Sequence, residues 1–284
     1  MPIEHLREHL PRKAAASIDS MAIADALSDA NKQIDLASND GVRIISSVDS
    51  EYPRLLIQTP DDPRILFVKG CLANTPEKSV AVIGTREPTE HGKIIAKRVA
   101  GFIVSEGWSV VSGLALGCDA IAHQATVEAQ GHTVAVLAHG LHTIAPSRHM
   151  ELAERILDTG GALVTEYRFG QEPLPQQFVK RDRIQAGLAQ GVVMIQSDVV
   201  GGSLFASRAA LDYQRRLFVV YPTDEDISKQ EPKVQGNLLL ADGSPEEMTD
   251  VLKCQPSDLR RLIILRSKSD YAQMVQPPAP TAPY

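Results

Sequence analysis

The run Val80-Ala81-Val82-Ile83-Gly84-Thr85-Arg86-Glu87-Pro88-Thr89 decides the fold. Its four apolar residues, three of them β-branched, read as a strand buried on both faces. A glycine ends the strand, and a helix pattern starts at about residue 90. Outward from this point the same alternation repeats. Strand patterns at Ser79–Ile83, Ser109–Val111, Thr133–Leu137, Ala162–Val164, Gly191–Ile195 and Leu217–Val220 are separated by helix patterns at about 90–106, 119–130, 147–158, 177–189 and 203–215. This predicts an α/β fold with a mostly parallel sheet and helices on both faces. Such a sheet binds ligands at the carboxyl ends of its strands.

The flanks read differently. Residues 1–41 predict a short N-terminal helical region, with apolar Met21, Ile23, Ala24, Leu27 and Ile34 in a polar context. Between Val42 and Gly70, Pro53, Pro60 and Pro63 predict an extended wrap, since each proline disfavours helix at the residue before it. The main domain spans 42–243. Residues 244–270 predict short C-terminal helices, and 271–284 a Pro-rich tail, extended and unpacked over 276–283.

At 284 residues and 43% hydrophobic, the chain can fill one large or two small domains. Its three cysteines, at 71, 118 and 254, share no close spacing, which argues against a disulfide framework or a zinc pair. A reducing, cytoplasmic setting is expected. No apolar run approaches the roughly 18 residues of a membrane span, and the first residues are too polar for a signal peptide. The net charge of −6 excludes a uniformly basic coat but leaves room for a local basic groove.

Four loops at strand ends carry chemistry. Gly84, Thr85 and Arg86 offer backbone amides, a helix start and a guanidinium to an anion; the bland alternative is an ordinary turn with a surface arginine. Neither Gly-x-Gly-x-x-Gly nor a Walker sequence is present there. Ser112 and Gly113 open a second anion nest, in which Asp119 reads as a helix N-cap and Cys118 as a packed residue rather than a nucleophile. Phe178, Lys180, Arg181 and Arg183 place three cations beside a ring, suiting phosphates and a stacked base, or else a solvated helix face. Gly202 and Ser203 start another helix directly after a strand. Five histidines fall at 123, 132, 139, 142 and 149 without a carboxylate or cysteine at ligand spacing, so no metal and no cofactor is expected.

Taken in order, these loops resemble the DNA-processing protein A family (DprA, also called Smf). The likeness runs from about Val42 to Gly243. It includes Glu51-Tyr52-Pro53-Arg54-Leu55, Asp62-Pro63-Arg64, Ser112-Gly113-Leu114-Ala115-Leu116-Gly117-Cys118-Asp119, Thr165-Glu166-Tyr167 and Gly236-Asn237-Leu238-Leu239. The resemblance implies an extended Rossmann-like fold that binds single-stranded DNA without catalysis, dimerises, and helps load the RecA recombinase during natural transformation. It further implies a strand-binding pocket built from Arg86, Ser112, Gly113, Lys180, Arg181, Arg183, Gly202 and Ser203.

The chain departs from the family where Arg-Asn-Arg becomes Arg181-Asp182-Arg183, where Gly140-Leu141-His142 loses an aspartate, and where Gln196-Ser197-Asp198 replaces a Glu-Ala pair. Asp182 is expected to face passing phosphates rather than pair strongly with its neighbours, because adjacent helical side chains diverge. The C-terminal winged helix of many members is not expected. The alternatives are a sensor or hydrolase of a nucleotide derivative on the same scaffold, and an adaptor that has lost its ligand. The Pro-Gly-Gly-x-Gly-Thr-x-x-Glu loop of related phosphoribohydrolases is missing at Val200-Gly201-Gly202-Ser203-Leu204-Phe205.

Overall fold

The computed structural model describes residues 19–276 apart from Pro76. In chain order it contains α1 (Ser20–Asn39), β1 (Val42–Ser46), α2 (Arg54–Ile57), β2 (Ile65–Gly70), β3 (Ser79–Ile83), α3 (Glu90–Ser105), β4 (Ser109–Ser112), α4 (Cys118–Glu128) and β5 (Thr133–Val136). There follow α5 (Met150–Asp158), β6 (Ala162–Thr165), α6 (Pro175–Gly187), β7 (Gly191–Met194), α7 (Ser203–Asp212), β8 (Arg216–Val220), α8 (Asp224–Ser228), α9 (Gln235–Asp242), α10 (Pro245–Leu252) and β9 (Leu262–Leu265).

The nine strands form one sheet in the order β1-β2-β6-β5-β4-β3-β7-β8-β9. From β6 to β9 every pairing is parallel, while β2 joins β6, and β1 joins β2, antiparallel. Every residue of β3, β4, β5, β6 and β7 is buried. In β3, Ala81 and Ile83 pack on one face with Ile184 of α6 and Leu204 of α7; Val80 and Val82 pack on the other with Val99 of α3 and Ala122 of α4. Burial on both faces produces the continuous apolar runs of the sequence.

From β3 the chain winds through β4 and β5 to β6, then returns to lay β7 on the opposite side of β3 and continues to β8 and β9. The reversal creates a topological switch point between β3 and β7. The loops leaving those strands diverge there and leave a crevice.

The flanks depart from expectation in the wrap, the C-terminal segment and the tail. The N-terminal part is one 20-residue helix over its described portion, capped by the Asp19 side chain, which accepts from the Ala22 amide at 2.8 Å. Only Ala37 of α1 is buried; Gln33 bonds both backbone groups of Phe169, and Asp29 pairs with Arg168 at 2.5 Å. The wrap contains two genuine strands, because the prolines fall between β1 and β2 and leave both ladders free to donate. The segment expected to be helical up to residue 270 holds β9, whose Leu-Ile-Ile-Leu run extends the parallel sheet beside β8. Tyr271 and Met274, assigned to the tail, are buried against the α3 side of the sheet. The tail beyond Gln276 and the first 18 residues lie outside the described residues. No helix among the described residues is long and apolar enough to cross a membrane.

Candidate functional site

A cavity of about 510 Å³ opens at the switch point. Its wall on the β3 side is Gly84-Thr85-Arg86-Glu87; on the β7 side it is Ser197-Asp198 and the start of α7, Gly202-Ser203; α6 closes it with Phe178, Arg181 and Asp182. The β3 loop is pinned on both flanks. The Thr85 amide donates to the Gln196 carbonyl at 2.8 Å, and the Thr85 carbonyl accepts from the Cys118 amide at 3.1 Å. Gly117 caps α4 at φ +74°, where a side chain would be strained and would run into the Thr85 backbone. The β7 side is fixed by Asn237, wholly buried, which donates to the carbonyls of Ile195 at 2.9 Å and Val220 at 2.8 Å and accepts from the Ser197 amide at 2.8 Å.

The rim and floor differ in chemistry. Arg86 is exposed and its guanidinium lies 5.6 Å from the centre of the Phe178 ring, a cation–π contact that leaves its charge facing the opening. Lys233 reaches the same rim from a distant turn and lies 3.5 Å from Glu87. Among the described residues the Gly202 and Ser203 amides at the start of α7 donate to no protein acceptor, and the Ser203 hydroxyl donates to Ser197 Oγ at 2.7 Å. Val179, Val200 and Phe205 expose apolar surface beside them.

The floor is a closed polar cluster. Arg181, 3% exposed, donates through Nη1 to the carbonyls of Gly113 (2.7 Å) and Val136. Its Nε lies 3.2 Å from Asp182 Oδ1, off the hydrogen-bond axis, so Nε has no aligned acceptor. Asp182 Oδ1 accepts from Gln185 Nε2 at 2.9 Å. Asp119, expected to cap α4, instead sits inside its first turn, accepts from the Gly113 amide at 3.0 Å and ties down the 112–117 loop. Burial is the main cause that pushes the Asp182 carboxyl up to about 7, Arg181 pulling it down and Asp119 pushing it up. Burial likewise raises Asp119, with Arg181 opposing.

The predicted residues therefore separate. Gly84, Thr85, Arg86, Phe178, Arg181, Gly202 and Ser203 come together around the cavity. Ser112 lies beneath it, wholly buried, its hydroxyl donating to the Val82 carbonyl at 2.6 Å. Gly113 is also underneath; any Cβ there would sit inside the Arg181 guanidinium, so its glycine serves the arginine. Lys180 is exposed outside the lining. Arg183 points away from the cavity, to Glu166 at 2.6 Å and Asp61 at 3.5 Å. Beside Asp182 the pairing is close but incomplete: Arg181 Nε stands 3.2 Å from Oδ1 without an aligned hydrogen bond. Lys233 and Asp198 were missed, Lys233 because nothing local links a turn some 30 residues after Ser203 to this rim.

The other singled-out groups have structural partners. Cys118 is buried at the start of α4, and burial pushes its thiol up. His123 bonds Thr133 Oγ1 at 2.8 Å, and burial pushes it down to about 3. His139 bonds the Gly140 carbonyl and accepts from the Ala145 amide; His149 bonds the Leu114 carbonyl; His132 bonds Ser109 and the Cys71 carbonyl; His142 stands 3.3 Å from Glu172. Among the described residues no three His, Cys, Asp or Glu side chains are grouped to hold a metal ion.

Known proteins share this frame. The DNA processing protein A of Streptococcus pneumoniae superposes with a TM-score of 0.67 at 25% identity, over 93% of this chain and 81% of that one. The Helicobacter pylori protein, whose structure addresses its single-stranded DNA binding mode, gives 0.61 at 27% identity, over 71% and 88%. Protein Smf of Escherichia coli K12 is 36% identical over 209 residues, 72% of this chain and 55% of the relative. DprA of Bacillus subtilis is 33% identical over 63% of this chain and 61% of the relative. The chain thus spans only between half and two thirds of the length of these two relatives. The model of the DNA recombination-mediator protein A family matches residues 43–250, the sheet from the second residue of β1 through β8 with every loop that shapes the cavity. On that match and those identities, the chain belongs to the DNA recombination-mediator protein A family.

Proposed function

We propose that the chain binds single-stranded DNA across the rim of the switch-point cavity, without catalysis, as a homodimer that passes the strand to a recombinase of the RecA type. The observation that carries the reading is Arg86 stacked on Phe178 at the opening, a cation and a ring on one support. Phosphates meet Arg86, Lys180, Lys233 and the amides of Gly202 and Ser203, while bases meet Phe178 and Phe205. This combination holds a flexible strand whatever its sequence. A non-catalytic role is supported by the complete burial of Cys118 and His123, which pushes the thiol up and the imidazole down and leaves neither side chain open to a substrate. Further support comes from the Helicobacter pylori relative, whose structure concerns single-stranded DNA.

A titration with labelled oligo-dT, a matched duplex and single nucleotides tests this. Oligo-dT binds most tightly, and its affinity falls steeply between about 50 and 200 mM salt as counterions are displaced. Affinity that is flat with salt, or equal for duplex, would overturn the reading. The cavity volume of about 510 Å³ also suits one small ligand. Tight binding of a single nucleotide with none of oligo-dT would favour the nucleotide-derivative sensor.

A further inference from the structure

Arg86 holds a phosphate at the rim only as firmly as its loop is held. That loop, residues 85–89, leads from the end of β3 to the N-cap of α3, and Arg86 and Glu87 at its tip are exposed. The tip has two side-chain contacts, Arg86 over the Phe178 ring and the Glu87 carboxylate 3.5 Å from Lys233. Both ends of the loop meet one residue. Gln196, 3% exposed, lies just beyond β7. Its carbonyl accepts from the Thr85 amide at 2.8 Å, and its side-chain Oε1 accepts from the Thr89 amide at 3.0 Å. Its Nε2 donates at 2.8 Å to Thr89 Oγ1, the hydroxyl that caps α3 by accepting from the Gly92 amide.

This place calls for an amide. A backbone N–H only donates, so the atom facing the Thr89 amide must be an acceptor. The other terminal atom must then be a donor, because it meets the Thr89 hydroxyl and, at 3.4 Å, Asp226 Oδ2 of α8. Asp226 is 4% exposed and also accepts from the hydroxyls of Thr223 at 3.0 Å and Thr89 at 3.3 Å. A glutamate at 196 would set a second carboxylate against it, and a methionine would match the length but bond neither partner. Gly92 completes the fit: a Cβ there would stand 2.1 Å from Gln196 Oε1, so the first turn of α3 leaves room for the carboxamide.

We propose that Gln196 is a positioning residue for strand binding. By tying both ends of the 85–89 loop to the end of β7, it spans the switch point and holds Arg86 over Phe178, with the guanidinium facing the strand. This rests on the strand-binding reading above and deepens it, since it names the residue through which the β7 side of the crevice controls the cation on the β3 side.

The test titrates labelled 20-mer oligo-dT at fixed salt, below the melting temperature, against the whole chain, Gln196→Met, Gly92→Ala, Arg86→Ala and the double variant Gln196→Met with Arg86→Ala. Gln196→Met binds roughly two- to tenfold more weakly than the unaltered chain, the cost of ordering a released side chain and its loop at the moment of binding. Gly92→Ala reproduces the loss with Gln196 itself in place, because the methyl group displaces the carboxamide while alanine suits the helix better than glycine. In the Arg86→Ala background, Gln196→Met changes affinity by less than about twofold, since the group it positions is gone. Undiminished affinity in both Gln196→Met and Gly92→Ala, whatever their melting temperatures, overturns the positioning role and leaves strand binding intact. A full loss that persists in the Arg86→Ala background overturns it too, because Gln196 then acts elsewhere than through Arg86. No binding of oligo-dT by the unaltered chain overturns both readings.

Discussion

Arg181 and Arg86 line one cavity, and they do opposite work. Arg181 is 3% exposed and commits its guanidinium to two backbone carbonyls, with the Asp182 carboxylate at ion-pair distance, holding the β4 loop and the end of β5 to α6. Arg86 is exposed, rests on a ring, and keeps its charge for whatever approaches. A cation near a ligand cavity is therefore not automatically a ligand cation. Its hydrogen-bond commitments decide.

The largest effect should come from Arg181→Ala. Removing one partner of a buried charge cluster leaves Asp119 and Asp182 uncompensated, a loss of about 3–5 kcal/mol. Chemical denaturation should show it; a variant as stable as the wild type would erase the floor-and-rim distinction. Next comes Arg86→Ala. The lost charge-assisted contact is worth about 1.5–3 kcal/mol of strand affinity, tenfold or somewhat more by oligo-dT titration, with the melting temperature unmoved. A drop in melting temperature would make Arg86 structural as well.

Arg183→Ala tests the side of α6 that faces away. Loss of the pair with Glu166, half-buried at 23% and 18% side-chain exposure, should cost about 1 kcal/mol of stability and change oligo-dT affinity less than Arg86→Ala does. A binding defect as large as that of Arg86→Ala would return Arg183 to the strand path.

The smallest effect concerns Asp182 and pH. Its carboxyl, raised from 3.8 to about 7 by burial, holds a proton in the folded chain that the unfolded chain releases at lower pH. Between about pH 4 and 7 the folded state binds the extra proton, so the stability this group contributes falls as pH rises through that window. Asp182→Asn should melt above the wild type at pH 8, with the difference shrinking toward pH 4. The raised carboxyl already includes the pull of Arg181, so a gain of at least about 1 kcal/mol is expected. A gap that is constant with pH would mean that the carboxyl stays ionised throughout.

The parallel half of the sheet was legible because burial on two faces writes an uninterrupted apolar run, as in Val80–Ile83 or Gly191–Met194. The edges were not. β1 mixes burial with exposure along five residues, and β9 is a four-residue run that a short buried helix would equally produce. Within the site, the Gly84–Arg86 loop was readable because one segment supplies the strand, the turn and the helix start. The roles of Arg181 and Arg183 were blurred, although two residues on a helix turn the side chains about 200° apart, so that one groove cannot hold both. Lys233 gave no signal: it meets the rim through a turn that only the completed fold carries there.

Gly113 and Arg181 also constrain how this chain can change over generations. A methyl group at position 113 would occupy the volume of the guanidinium, so alanine there displaces Arg181 from the Gly113 and Val136 carbonyls. The reverse order is open: shortening residue 181 first empties the space that a side chain at 113 would need. The two positions, 68 residues apart, form a one-way gate in sequence space. A lineage crossing it must first pass through a chain with an unsupported β4 loop and two unpaired buried carboxylates, which makes the Gly113–Arg181 pairing hard to leave once it has been acquired.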